Sequence, residues 1–335
     1  MLKILTCSLV IAFALFPLGA TAEPVKLKLA FFSSDRSLLY RAAIKPFADA
    51  VNAEALGALE IDVQFSGALG KDPAQQAQMI LDGAADLAFV VPGYTPARFG
   101  DNAVLELPGM FRDTREATHI FTRLIAAKAL RGYEDFVVIG AFTSEPQTIH
   151  SRPPVASLGD LRGKTIRVNN PMEGAALEKL GMSPVVLPVN QISDAMIAGK
   201  IDAAAVPPAM LFEFGIGRAA SHHFLLRIST APLTLLMNRK KFESLPVTSQ
   251  NIIRKYSGEW AATRFIELYE AGNSQSEEKF KSDARRKVVV PSQADLETAA
   301  TAYKAVAEQW LAKAPRNREL MKTVEMEIAK SRAVR

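Results

Sequence analysis

Arg167 is the residue whose type and setting most directly imply chemistry. It interrupts a short apolar strand, Lys164-Thr165-Ile166-Arg167-Val168. Alternation along a strand sends Ile166 and Val168 to one face and Arg167 to the other. Two readings are open from this pattern. The guanidinium either pairs with a neighbouring carboxylate or faces solvent, or it is a two-pronged donor for a carboxylate ligand, a geometry arginine matches bidentately. Other chemistries have little to work with. The four histidines, His119, His150, His222 and His223, show no metal spacing, and adjacent residues such as His222 and His223 do not face one another. A Gly-x-Ser-x-Gly nucleophile elbow and a phosphate-cradling Gly-Lys-Ser/Thr loop are both missing. Gly215-Ile216-Gly217-Arg218-Ala219-Ala220 half-matches a dinucleotide fingerprint but follows a helix or loop rather than the strand that motif needs. The sequence therefore predicts no catalytic residue, no cofactor and no metal.

The elements that must position Arg167 come as a repeat. Met79-Ile80-Leu81-Asp82-Gly83-Ala84-Ala85-Asp86-Leu87-Ala88-Phe89-Val90-Val91-Pro92 aligns with Met196-Ile197-Ala198-Gly199-Lys200-Ile201-Asp202-Ala203-Ala204-Ala205-Val206-Pro207-Pro208 once one residue is skipped. Each copy reads as a helix ending at Gly, a turn with Asp, and an apolar strand stopped by Pro. Upstream of the first lie a strand at 26–32, a helix at 37–55, a strand at 60–65 and a helix from about 73. Upstream of the second lie 164–168, a helix near 173–180, a strand at 184–187 and a helix from about 190. Both halves read β-α-β-α-β, which predicts two α/β lobes with mostly parallel sheets and a cleft between them. Ligands in such sheets sit beyond the carboxyl ends of strands. Those ends supply Ser33, Ser34 and Tyr94 from the first lobe and Gln147, His150 and Asn169 from the second.

Length and composition fit this plan. A chain of 335 residues suits two lobes better than one core, and 49% hydrophobic with 22% charged residues is ordinary for a globular protein. Lys3, the apolar run 4–18 and Ala20-Thr21-Ala22 read as a cleavable export signal at 1–22, since the run is shorter than the ~20 residues of a span. The mature chain would then begin at Glu23 and would not insert in the membrane. The single cysteine, Cys7, lies in that signal, leaving no disulfide or thiolate site. Without Lys3 the balance is 39 basic against 35 acidic residues, a charge of +4, too mild for nucleic acid.

The strand 136–142 reads as one crossing between lobes and 224–237 as the return, a natural hinge. The longest helical stretch, 248–284, is weakened at Gly258 and Gly272. An amphipathic helix follows at 293–311. The expected division is lobe I at 23–140 with 228–265 returning to it, lobe II at 141–227 with 266–312 packed on it, and a fraying basic segment at 313–335.

Several motifs in one order resemble a known family. Phe65-Ser66-Gly67-Ala68-Leu69-Gly70, Leu81-Asp82-Gly83-Ala84-Ala85-Asp86-Leu87-Ala88 and Leu107-Pro108-Gly109-Met110-Phe111-Arg112-Asp113 look like the first lobe of TRAP-transporter solute-binding proteins of the DctP family. Leu161-Arg162-Gly163-Lys164-Thr165-Ile166-Arg167-Val168 resembles their second-lobe signature, and Leu245-Pro246 follows the return strand as it does there. The resemblance runs from about residue 27 to about 311. It implies a two-lobed, type II-like periplasmic binding protein that closes on a small organic acid and delivers it to TRAP permease subunits. Arg167 falls where this family salt-bridges the substrate carboxylate. The chain departs from the family at Asp202-Ala203-Ala204-Ala205-Val206, where many relatives carry a polar Asn at the position of Val206. The second arginine of sialic-acid-type relatives, near Pro146, is also missing. A pocket walled by Val206, Pro207, Met210 and Phe212 would favour a less hydroxylated, more apolar acid.

Overall fold

The computed structural model describes residues 24–333, so the expected export signal lies outside the described residues. In chain order the strands are β1 (Val25–Ala30), β2 (Leu59–Gln64), β3 (Leu87–Val90), β4 (Phe136–Thr143), β5 (Thr148–Ser151), β6 (Thr165–Val168), β7 (Ser183–Val186), β8 (Ala203–Val206), β9 (His222–Phe224), β10 (Pro232–Asn238) and β11 (Lys287–Val289). They form one sheet of order β2-β1-β3-β10-β4 and another of order β11-β9-β5-β8-β6-β7. Within each, the three strands of the βαβαβ unit are parallel. The next strand inward, β10 in one sheet and β5 in the other, runs antiparallel.

Register makes the halves equivalent residue by residue. Leu29 and Ala30 oppose Leu87 and Ala88 in the first sheet; Ile166 and Arg167 oppose Ala203 and Ala204 in the second. Arg167 therefore occupies the place of Ala30. The two turn aspartates have the same task. Asp86 accepts the Lys28 amide at 2.8 Å and Asp202 accepts the Thr165 amide at 2.9 Å, each sealing the start of a parallel pair. Gly83 (φ 75°) and Gly199 (φ 68°) take the left-handed turn after the helices Gln76–Leu81 and Ile192–Ile197. These anchors match Leu81 to Ile197 and Asp86 to Asp202 with no residue skipped. The one-residue skip suggested by sequence was an artefact of matching the two Met-Ile pairs.

Alternation divides the interior into two cores, one on each side of the sheets. Ala88, Val90, Ile166 and Val168 face the core under the helices Thr114–Ala126, Pro171–Lys179 and Gln293–Lys313. Leu87, Phe89, Ala204 and Val206 face the core under Lys45–Ala55, Pro208–Glu213 and Glu259–Ser282. Both cores run across both lobes, so burial of the apolar face at about 25 cal/mol per Å² ties the lobes together as well as building each one.

Three expectations about organisation change. The strand β4 lies wholly in the first sheet, as does β10. The chain crosses between sheets at residues 144–147 and 225–231, and the crossings pair through Ser144 N to Ala231 O (3.0 Å), Gln147 N to Ser229 O (2.9 Å) and Ile228 N to Gln147 O (3.0 Å). The 248–284 stretch breaks at Gly258 (φ 61°), one of its two expected weak points, giving Val247–Lys255 and Glu259–Ser282, and it is the lobe boundary drawn in it that changes. The second of these runs unbroken through the expected lobe boundary at 265/266 and packs on elements of both lobes. The third concerns the segment after Pro315, expected to fray. It is the helix Pro315–Ala333, docked by buried Leu320, Met321, Val324 and Ile328. Its basic residues meet specific carboxylates: Arg316 reaches Asp101 at 3.0 Å and Arg332 reaches fully buried Glu116 at 2.8 Å. Because Glu116 keeps Arg112 at 3.1 Å, Arg332→Ala should remove about 1 kcal/mol, or roughly 2–4 °C in Tm by thermal melt. An unchanged Tm would mean the docking contributes nothing. None of the described helices is long and apolar enough to cross a membrane.

Candidate functional site

The carboxyl ends of β6 and β8, the turn after β3 and the paired crossings converge on Arg167. Its side chain is buried, at 1% exposure, on the face opposite Ile166 and Val168. Four hydrogen bonds fix the guanidinium. Nε donates to Leu187 O at 2.7 Å, Nη1 to Ala205 O at 3.0 Å, and Nη2 to the Tyr94 hydroxyl at 3.1 Å and Asn169 Oδ1 at 3.4 Å. All four acceptors are neutral, and among the described residues no carboxylate comes within 4.0 Å of it. A buried cation without an anion is an expensive arrangement unless something else completes it. At least one Nη1 hydrogen also lacks a protein acceptor, since arginine carries five.

The cavity beside Arg167 has a volume of about 50 Å³. Its wall joins equivalent positions of the two repeats: Phe32 with Asn169, Val91 with Pro207, and Tyr94 with Met210. Polar groups gather around the guanidinium. The Tyr94 hydroxyl accepts from Arg167 and from the Val189 amide (3.0 Å), so its own hydrogen remains to be donated. Burial pushes its pKa up against the pull of Arg167, which keeps it protonated. Gln147 Nε2 and Asn169 Nδ2 are buried donors with no partner. A larger depression of about 620 Å³ lies between Arg98, Asp101 and Trp310; Asp101 there is matched by Arg131 and Arg316 and Arg98 by Asp135, while Glu106 also lines it with a buried oxygen that has no partner. Among the described residues the buried guanidinium without a carboxylate is that of Arg167.

The structure sorts the residues expected from strand ends. Arg167, Asn169, Gln147, Tyr94, Val206, Pro207 and Met210 line one cavity. Ser33, Ser34 and His150 do not. The chain turns away after Phe32, and Ser33 Oγ donates to Glu213 Oε1 (3.4 Å), which with Leu38 N to Glu213 Oε2 (3.0 Å) clasps lobe I to lobe II. Phe212 lies instead under Lys279 and Arg286. Pro146 lines a separate depression with Glu145, Arg227 and Glu270. Sequence reasoning missed Leu39, Val189, Leu233 and Tyr269, which reach the cavity from helices and from β10 and carry no local signal.

His150 fails for a geometrical reason. Because β5 is antiparallel to β8, the residue before its start, Gln147, reaches the cavity and His150, opposite Ala204, lies deeper in the sheet. Burial and the neighbouring His223 push His150 down to about 3, and burial with Arg286 pushes His223 to about 4, so both rings are neutral. Neutrality fixes the direction of their bonds: Arg286 donates to His223 Nε2 (3.4 Å), His223 Nδ1 to His150 Nδ1 (2.8 Å), and His150 Nε2 to Val206 O (3.1 Å). The chain of bonds holds the end of β8 in place. Among the described residues no His, Cys, Asp or Glu cluster is arranged to hold a metal.

Beside the cavity, Glu106 of lobe I and Glu173 of lobe II are buried together. Burial, then the charge on Glu173, pushes Glu106 up to about 8. Burial pushes Glu173 up to about 7, against the Asn169 amide (2.8 Å) and Arg167. Gly93 permits this approach, since a Cβ there would stand 2.8 Å from Glu106 Oε1 and 3.1 Å from Asn169 Nδ2.

Comparison with known proteins places this geometry in context. Residues 29–314 match the model of the DctP family, bacterial extracellular solute-binding protein family 7. A solute-binding protein of Verminephrobacter eiseniae is 24% identical over 212 residues, 62% of this chain and 63% of that protein's length. A marine metagenome TRAP solute-binding protein specific for aromatic acid ligands, in complex with metahydroxyphenylacetate, superposes with a TM-score of 0.84 at 26% identity, covering 91% of this chain and 99% of that one. A TRAP solute-binding protein from Rhodoferax ferrireducens with copurified benzoate gives 0.85 at 25% identity, with 92% and 99% covered.

Proposed function

The chain belongs to the DctP family of bacterial extracellular solute-binding proteins, and from that membership we propose that it is a periplasmic receptor that carries one organic acid to a TRAP-type permease. The observation that carries this reading is Arg167, buried, held by neutral acceptors and unpaired. A ligand carboxylate supplies the missing charge. Tyr94, Asn169 and Gln147 donate to its oxygens, while Val206, Pro207 and Met210 cover its body. The lobes, taken as the units around the two sheets, close about residues 144–147 and 225–231, with Tyr94 and Glu213 meeting the opposite half only when shut. The receptor binds without turnover, so acid recovered from the complex is chemically unchanged.

A thermal-shift panel of small carboxylates, with scattering on any complex, tests the reading. An acid present at 100 times its Kd should add ~2.7 kcal/mol and raise Tm. The same acid should lower the radius of gyration, because contacts made from both lobes favour the shut form. A panel in which no carboxylate moves Tm, or a complex in which the acid is consumed, would sink it.

A further inference from the structure

Resting on the reading of the cavity as an acid site, we propose that the acid is an aromatic monocarboxylate. The cavity has one polar end. Arg167, Tyr94 and Asn169 are hydrogen-bonded together there, Gln147 lines the same cavity, and a single carboxylate occupies them. The remaining wall has almost nothing to offer a second polar group. Leu39, Val91, Val189, Val206, Met210 and Leu233 carry no hydrogen-bonding side chain. Of the two other polar side chains, Ser144 is already engaged: its Oγ donates to Glu145 O (2.8 Å) and accepts the Ala231 amide (3.0 Å). The Tyr269 hydroxyl accepts from the Glu145 backbone and keeps a single hydrogen, enough for one ring hydroxyl and too little for a second carboxylate or a polyol.

A dicarboxylate would bury its second charge against hydrocarbon, and a sugar acid would leave its hydroxyls unpaired, both heavily unfavourable. Rejection of this kind exceeds what a missing methylene achieves in an apolar pocket. The wall also favours a flat ring over a puckered one. Phe32 and Tyr269 both line the cavity and are held by other rings: Phe32 by Phe31 at 5.5 Å and Phe89 at 6.3 Å, Tyr269 by Phe265, stacked at 4.8 Å. Rigid rings contact an aromatic guest by offset or edge-on stacking without ordering anything new. The two solved relatives at 25–26% identity that hold metahydroxyphenylacetate and benzoate agree with this chemistry.

Calorimetric titration of the mature protein with benzoate, 3-hydroxybenzoate, cyclohexanecarboxylate, succinate and glucuronate decides it. We expect the aromatic acids to bind at least ~100-fold tighter than succinate or glucuronate, and several-fold tighter than cyclohexanecarboxylate. Succinate or glucuronate binding as tightly as benzoate would overturn the proposal and leave the acid-receptor reading intact. Cyclohexanecarboxylate equal to benzoate would overturn the aromatic preference. Failure of all five would overturn the aromatic-acid proposal, and the wider carboxylate panel then decides the acid-receptor reading.

Discussion

Arg167→Ala should weaken ligand binding by roughly 30- to 4,000-fold, more than any other single replacement. Removing one member of a buried, hydrogen-bonded charge pair typically costs ~2–5 kcal/mol, and each 1.4 kcal/mol is a decade in affinity. Arg167→Lys should recover only part of this. Lysine keeps the charge, but an ammonium with three hydrogens cannot keep the bonds to Leu187 O, Ala205 O, Tyr94 and Asn169 and still offer a hydrogen to a carboxylate. The alternative is that Arg167 only ties β6 to its neighbours, in which case Arg167→Ala lowers Tm and leaves affinity nearly intact. Titration of folded wild type and both variants separates these outcomes. Binding by Arg167→Ala within threefold of wild type would refute the assignment.

Stability should fall as pH rises from 6.5 to 8.5, and Glu106 should be the main cause. Its folded pKa, about 8, lies above the unfolded carboxylate value, so the folded protein holds a proton that the unfolded chain has lost. A raised carboxyl pKa contributes stability that is full below the unfolded value and disappears as pH climbs through the folded one. Over 6.5–8.5 that amounts to about 2 kcal/mol for Glu106. Glu173 and Glu145, both pushed up to about 7, act in the same direction in the lower part of the window. The opposing groups, His150 and His223, are depressed, so their contribution is complete above the unfolded histidine value and disappears only as pH falls toward 3–4. Denaturant melts across the window should show the slope in wild type and a flatter one in Glu106→Gln. An equal slope in both proteins would remove Glu106 from the account.

The repeat was legible because its punctuation is chemical. Gly83 and Gly199 must take left-handed turns, and Asp86 and Asp202 must cap parallel pairs, so four residues mark both units whatever surrounds them. Arg167 was legible because a charge in an apolar strand has few uses. What failed depended on contacts between distant segments. Ser33 meets Glu213, 180 residues away, and nothing near Ser33 announces it. His150 was misplaced because strand-end reasoning assumed a parallel strand, whereas β5 runs the other way. The helix Pro315–Ala333 reads as weakly amphipathic by itself, and only Glu116 and Asp101 on another part of the chain explain its arginines.

The equivalence of Arg167 with Ala30 gives the receptor a front and a back. Both backbone carbonyls that grip the guanidinium, Leu187 O and Ala205 O, belong to the second sheet's half, and the matching position in the other half is a methyl group. On the receptor reading, prising the halves apart leaves the anion seated on one of them, uncovered on the side the other has vacated. Cargo is then offered to the permease from a single direction. Loading follows the same path in reverse, anion end first, and the half that brings only the Tyr94 hydroxyl to the anion serves as the lid.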